Sequence, residues 1–257
     1  MKKMLLTRTL AGVLLAGLPT SMFGIVIGAK TNIFAAGQDT TAINTMGGLF
    51  PAGTVITPGS NVLSFAVSGG PLTCAFSGVC MTTTIGADGA SIAFPFGPTT
   101  GTDITALGTN GISGIKFTGR QMFLVGVFLN DSIPTGSGPF TPTFVSTGGT
   151  YNADTDTSFQ AFFLGQVFYI GDGKTGFNSV GGTTQLFNVP VGATRLFLGF
   201  ADAFDNFTGP WGAYGDNGGS LDVTITGIAA VTVPEPGTIM LMGLGLAALG
   251  MLRKRIA

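Results

Sequence analysis

The chain has 257 residues, of which 11 are basic, 12 are acidic and none is histidine. Without histidine, the usual general base for a serine or cysteine nucleophile is missing, so we expect a protein that is not an enzyme. Residues 22–233 contain five basic and eleven acidic residues, a net charge of −6. This charge disfavours nucleic-acid binding, which depends on Lys and Arg contacts to phosphate.

The first residues have the pattern of an export signal. Lys2, Lys3 and Arg8 form a positive region, and the apolar run 10–18 follows it. This order is typical of a secretory signal peptide. We predict a signal peptide over residues 1–21, with cleavage between Leu18 and Gly24, and an uncleaved anchor is the alternative.

The middle of the chain has the composition of a β-protein. It is rich in Gly, Thr and Phe, the strong helix formers typical of protein surfaces are nearly absent, and Gly, Pro, Asn and Asp bound its apolar runs. The predicted strands are Gly24–Gly28, Asn61–Val67, Ser91–Phe94, Met122–Leu129, Phe159–Ile170, Thr184–Val189, Arg195–Phe200 and Ser220–Thr226. The last of these alternates apolar and polar residues, as a half-buried strand does. We predict an all-β fold for residues 22–230, a β-sandwich of jelly-roll type.

The chain has two cysteines, Cys74 and Cys80. In an exported protein, a pair so close in sequence predicts a disulfide that closes a small loop. Two free thiols are the alternative.

Polar residues near the end of the predicted domain favour a metal site. Asp202 follows the predicted strand 195–200, and Asp216 and Asn217 lie in a Gly-rich turn before the last strand. Calcium prefers six to eight oxygen ligands, and these side chains can supply several of them. Asp205 is an additional candidate ligand. The alternative is that these side chains form turns by hydrogen bonding to the backbone.

This pattern resembles the final hairpin of the bacterial calcium-dependent galactose-binding lectins. Asp202 would match their metal-binding Asp, and Asp216 and Asn217 would match their two metal-binding amides. The resemblance implies that the backbone carbonyl of Ala213 is a further calcium ligand. It also implies carbohydrate binding, although the histidine with which those lectins contact sugar is absent here.

Two aromatic residues lie in the same region. Trp211 and Tyr214 are candidates for stacking on a sugar ring. For a single Trp in a loop, the alternative is that it covers the core.

The C-terminus combines a short proline motif, an apolar run and a basic end. Val233, Pro234, Glu235 and Pro236 precede the run 239–252, which three basic residues follow. Fourteen helical residues span only about 21 Å, less than the roughly 30 Å hydrocarbon core of a bilayer, so the predicted transmembrane helix is short. The basic end fixes its orientation, with the body outside.

This tail resembles the sorting domain of PEP-CTERM proteins. Those proteins are exported, held transiently in the inner membrane and processed by an exosortase. The resemblance implies a sorting tail over residues 231–257, with 233–236 as the recognised motif, and a cell-surface or extracellular destination. Two functions follow from the sequence: a calcium-dependent module that binds exopolysaccharide, or a structural matrix protein of the same fold with no specific ligand.

Overall fold

The computed structural model describes residues 21–38, 47–56, 62–73, 85–91, 101–105, 110–160, 162–202 and 214–228. In chain order the strands are Ser21–Gly28 (β1), Gly53–Val55 (β2), Val62–Gly69 (β3), Ala90–Ser91 (β4), Gly101–Ile104 (β5), Ile115–Thr118 (β6), Arg120–Gln121 (β7), Phe123–Leu129 (β8), Thr143–Val145 (β9), Tyr151–Asn152 (β10), Ser158–Phe159 (β11), Val167–Tyr169 (β12), Leu186–Asn188 (β13), Arg195–Ala201 (β14) and Ser220–Ile228 (β15). One 3-10 turn, Ile33–Ala35, lies between β1 and β2. The all-β prediction is confirmed.

The strands form three larger sheets and one small pair. The first sheet has the order β1-β15-β3-β13-β11, the second β12-β8-β14-β2 and the third β10-β9-β6-β5, while β4 pairs with β7. The nine-residue β15 pairs antiparallel with both β1 and β3. The first sheet is therefore organised around the last strand of the domain.

An aromatic core joins the sheets. Phe168, in the second sheet, packs against Phe187 of the first sheet with ring centroids 5.7 Å apart. The next residue, Tyr169, points the other way and meets Phe117 of the third sheet at 5.0 Å. Neighbouring residues of one strand face opposite sides, so the second sheet is covered on both faces. This explains why all seven residues of β8 are buried.

Most of the predicted strands are present, but one is wrong. The run 159–170 was expected to be a single strand, whereas the structure has β11 in the first sheet and β12 in the second. Gly165 lies between them with φ +80°, and a Cβ there would come within 2.3 Å of the carbonyl oxygen of Gly111. Only glycine accepts this conformation and this close approach, so the chain turns there and changes sheet.

Several short strands were not predicted: β2, β5, β6, β7, β9 and β10. They have two to four residues each, too few to show alternation of apolar and polar side chains. Of the predicted strand 91–94, Ser91 lies in β4 and the rest falls outside the described residues. Residues 1–20 of the predicted signal peptide, the cysteine pair and the predicted C-terminal helix also fall outside them, while Ser21 begins β1.

We predict that Phe168→Ala destabilises the fold by about 3–5 kcal/mol, the usual cost of truncating a buried Phe. Phe168 has no exposed surface and stacks on Phe162 at 4.7 Å and on Phe128 at 4.9 Å. Urea unfolding of the protein as isolated from a producing strain measures the loss. Phe163→Ala is the matched control, since Phe163 is 58% exposed. Equal losses in the two variants would contradict the layered packing.

Candidate functional site

The structure places Asp202 directly after β14, as the sequence predicted. Residues 196–201 of this strand are buried, and Phe200 donates its N–H to the carbonyl of Thr31 at 2.9 Å. The strand is thus fixed against the loop that follows β1. Asp202 is the first residue beyond this buried stretch and is partly buried itself.

The turn before β15 is fixed to the end of β14. Tyr214 donates its hydroxyl to the carbonyl of Phe200 at 2.7 Å, and Asn217 donates its N–H to the carbonyl of Tyr214 at 3.3 Å. Gly219, with φ +92°, has no room for a side chain, because a Cβ would lie 2.4 Å from the carbonyl of Pro71. These contacts turn the chain so that Asn217 points inward, where it is 3% exposed.

Asp202 and Asn217 meet in this structure. Nδ2 of Asn217 donates to Oδ2 of Asp202 at 2.8 Å and to the carbonyl of Ala29 at 3.1 Å. The side-chain oxygen Oδ1 of Asn217 is buried and accepts no hydrogen bond from any residue that the structure describes. Three segments therefore converge at this point: the end of β1, the end of β14 and the start of β15.

The charge at this point is poorly compensated. Burial raises the pKa of Asp202 to about 7, the hydrogen bond from Asn217 opposes this rise, and the negative charge of Asp216 adds to it. Among the described residues Asp202 forms no ion pair. A carboxylate in such surroundings is stabilised by a bound cation.

Asp202 and Asn217 are the predicted site residues that the structure shows in contact; the others are placed as follows. Asp216 is exposed on the turn. Asp205, Trp211 and Ala213 lie in the segment 203–213, outside the described part of the chain, and so do the pair Cys74–Cys80 and the motif 233–236. Within the described residues, no three Asp, Glu, Cys or His side chains come close enough together to hold a metal ion.

The predicted stacking role of Tyr214 is wrong. Its side chain has no exposed surface and its hydroxyl is bonded to Phe200. A sugar needs an exposed ring face, and this ring instead joins two segments of the core.

A second polar centre, around Asp88, was not predicted. Oδ1 of this fully buried carboxylate accepts from the Tyr169 hydroxyl at 2.6 Å and from the N–H of Asp172 at 2.9 Å. Oδ2 accepts from the N–H of Asn178 at 2.7 Å. Three donors compensate the burial of the charge. The sequence offers only a short Gly-bounded turn around Asp88, which does not predict burial.

Arg120 extends this centre to the third sheet. It is 2% exposed, donates to the Tyr169 hydroxyl at 2.5 Å and forms an ion pair with Asp154. Its guanidinium lies 4.7 Å from the ring centroids of both Phe117 and Phe177. Burial, together with Asp88, raises the pKa of Tyr169 well above its usual value. Tyr169 therefore remains a hydrogen-bond donor to Asp88.

The comparisons with known proteins identify the tail. A model of the PEP-CTERM protein-sorting motif matches residues 232–255. The chain therefore carries this sorting motif, which marks an exported protein that passes through the membrane and is processed by an exosortase. No curated protein and no solved structure matches the chain. Within the described ranges, no helix is long and apolar enough to cross a membrane.

We predict that Asp172→Asn raises the melting temperature by a few degrees at pH 7 and not at pH 4. Burial, and then the charge of Asp88, raise the pKa of Asp172 to about 6. The folded protein therefore holds this proton more tightly than the unfolded chain does. As the pH rises from about 4 through 6, ionisation of Asp172 lowers the free energy of unfolding, and Asn at this position avoids that loss. Oδ1 of Asp172 accepts the N–H of Lys174 at 2.8 Å, a bond that Asn also forms.

Melting curves from pH 4 to 8 measure the effect. Asp222→Asn, at an exposed position in β15, is the control and is expected to follow the wild type. A difference between Asp172→Asn and wild type that stays constant over this range would contradict the prediction.

Proposed function

We propose that this protein is an exported cell-surface or matrix component whose β-sandwich, of jelly-roll type, binds exopolysaccharide through calcium. The observation that carries the proposal is the pairing of Asp202 with Asn217, two residues 15 apart in sequence, where the buried side-chain oxygen of Asn217 has no hydrogen-bond partner among the described residues. An unpaired buried polar atom costs about 1–3 kcal/mol. A ligand that used this oxygen would remove that cost.

The donor chemistry of this site fits calcium. Asp202 and Asn217 would hold the ion, and the oxygen of Asn217 that lacks a hydrogen bond is the type of ligand calcium prefers. Asp216, Asp205 and the carbonyl of Ala213 complete the proposed set. When bound, calcium would neutralise the acidic pair and offer coordination positions to sugar hydroxyls. The protein residues hold the ion and shape the surface around it.

The position of the site suits display away from a membrane. Ser21 pairs with Ile228 at one end of the β1–β15 pair, and Gly28 pairs with Ser220 at the other. The predicted signal peptide and the sorting tail therefore adjoin the same end. Asn217 lies at the opposite end, beyond a strand that spans about 27 Å at about 3.4 Å per residue. Attached through its tail, the domain would present the site outward.

The proposal assigns binding and not catalysis. Two pairs of described carboxylates have interacting charges, Asp202 with Asp216 at the proposed calcium site and Asp88 with Asp172, and the second pair would be the remaining candidate for a glycosidase pair. Asp88 is fully buried and accepts three hydrogen bonds from the protein. It is thus occupied in holding the structure and has no access to a substrate.

We predict that millimolar calcium raises the melting temperature, since a ligand that binds only the folded state stabilises it. The gain is about 2.7 kcal/mol when calcium is at 100 times its Kd. Asp202→Asn, which loses a charged ligand, should show little or no shift. Asp222→Asn, which removes a carboxylate from an exposed position in β15, should keep the full shift. Equal melting temperatures in calcium and in chelator would rule out calcium binding. They would favour the alternative function, a structural matrix protein without a specific ligand.

We predict that Glu235→Ala blocks processing of the tail. Glu235 lies between two prolines, which disfavour helix and keep the motif extended for an enzyme. Immunoblots of membrane and secreted fractions should show unprocessed protein retained in the inner membrane. Thr232→Ala, at the edge of the matched motif, is the control and should be processed. Normal release of Glu235→Ala would contradict the assigned role of the glutamate.

A further inference from the structure

The end of the domain from which the tail leaves carries exposed apolar residues. Val62, at the start of β3, lies beside Gly227, since a Cβ on this glycine would come within 2.3 Å of the Val62 carbonyl oxygen. Asn188 of β13 pairs with Val62, and Pro190 and Val191 follow β13 in the chain. Two strands in a sheet are roughly 10 Å apart when one strand lies between them. Residues 190–191 are therefore close to the end of β15, where the tail begins.

Two apolar hollows meet at this end. The larger has a volume of about 580 Å³ and is lined only by apolar residues, namely Pro139, Phe162, Phe163, Leu164, Pro190 and Val191. The smaller, of about 370 Å³, shares Pro139 and Leu164 with the larger and adds Ile133 and Pro134. No described residue in either lining carries a charge. We call the residues named here, together with Phe140, the apolar end surface.

Several side chains of the apolar end surface are open to water. Phe140 is 57% exposed, Phe163 is 58% exposed and Val191 is 99% exposed. The rings of Phe140 and Phe163 contact each other edge to face, with their centroids 5.6 Å apart. Single exposed apolar side chains are common on proteins, whereas a contiguous group of them marks a site of contact with a partner. The apolar end surface has the second character.

Internal hydrogen bonds hold the apolar end surface in place. Gln166, which has no exposed surface, accepts the N–H of Phe163 and donates to the carbonyl of Phe140, both at 3.1 Å. Arg195 donates to the carbonyls of Asn130 and Ser132, at 2.7 and 2.8 Å, and these two residues line the smaller hollow. The aromatic pair and the neighbouring loop are thus fixed by the fold. Their exposure is a built feature of the surface.

The length of the chain beyond β15 indicates what this surface meets. β15 ends at Ile228, and the apolar run predicted to enter the membrane begins at residue 239. The ten residues between them, 229–238, span at most about 35 Å. While the run 239–252 lies in the bilayer, the apolar end surface is held within reach of the lipid. Such a tether gives the surface a high effective concentration of its partner.

We propose that the apolar end surface docks on the lipid bilayer while the tail is inserted. Apolar side chains that enter the interface leave water, and a surface without charged lining residues does not incur the cost of burying a charge. Docking would also keep the motif 233–236 close to the membrane until it is processed. The inference rests on the predicted insertion of residues 239–252, and it needs neither calcium nor sugar.

The test uses the full chain, produced in a strain without an exosortase so that the tail is kept, in vesicles of dioleoylphosphatidylcholine. Phe163→Trp places a fluorophore in the apolar end surface. Its emission is compared between plain vesicles and vesicles with brominated acyl chains, since bromine quenches tryptophan on contact. The native Trp211 is present in every sample, so the wild-type emission is subtracted. Brominated lipid should reduce the added emission at least twofold.

Two exposed valines at opposite ends of the domain provide the matched comparison. Val191 is 99% exposed, and Val180, which lies beside Gly69 and Leu221 at the start of β15, is 98% exposed. In the Phe163→Trp background, Val191→Asp places a carboxylate where docking removes water, so the quenching should fall severalfold. Val180→Asp should leave the quenching unchanged. Val180→Trp, in the wild-type background, should not be quenched by brominated lipid.

Resistance to carbonate extraction shows whether the tail is inserted. An inserted chain whose Phe163→Trp emission is the same in plain and brominated vesicles would overturn the docking and leave the tail as the anchor. Emission that instead changes with the ratio of protein to lipid would show that a second copy covers the surface, which also overturns the docking. Equal loss of quenching in Val191→Asp and Val180→Asp would contradict the assignment to this end. Extraction of the chain by carbonate would overturn both the insertion and the docking.

Discussion

The pairing of β15 with β1 on one side and β3 on the other is the constraint on which the rest of the structure depends. It places Leu221, Val223 and Ile225 in the core between the sheets. It also sets the two ends of this strand apart, with the predicted export segments at one end and the polar site at the other. A one-residue shift in register would turn the buried face outward, and it would remove Asn217 from Asp202.

The fully buried Asp88 and the partly buried Asp202 differ in how their carboxyl groups are compensated. Asp88 accepts hydrogen bonds from a hydroxyl and two backbone N–H groups, and Arg120 lies beyond Tyr169 in the same network. Asp202 accepts one described side-chain hydrogen bond, from Asn217, and the nearby Asp216 repels it. Asp88 is therefore complete without a ligand and serves the fold. Asp202 is incomplete, which is the reason for assigning it to binding.

The sequence predicted what depends on local pattern. The alternation in 220–226 predicted β15, and the apolar run 195–200 predicted β14 with Asp202 at its end. The break at Gly165 was missed because it arises from contact with Gly111, far away in sequence. Tyr214 was assigned to a sugar for a similar reason, since its burial depends on the carbonyl of Phe200. The role of Asp88 depends on its contacts with Tyr169 and Asn178, which lie 81 and 90 positions later in the sequence. A local sequence pattern does not encode such contacts.

The absence of histidine from the sequence has a consequence for the proposed calcium site. Binding groups here are carboxylates, amides and hydroxyls, and of these only the carboxylates change charge. Burial moves the pKa of Asp202 to about 7 and that of Asp172 to about 6, each through loss of water and the charge of a neighbouring aspartate. Calcium bound at Asp202 would favour the ionised form of this carboxyl group, so calcium binding would release a proton near neutral pH. Acidification below about pH 7 would therefore weaken the proposed calcium site, because protonation of Asp202 competes with the ion.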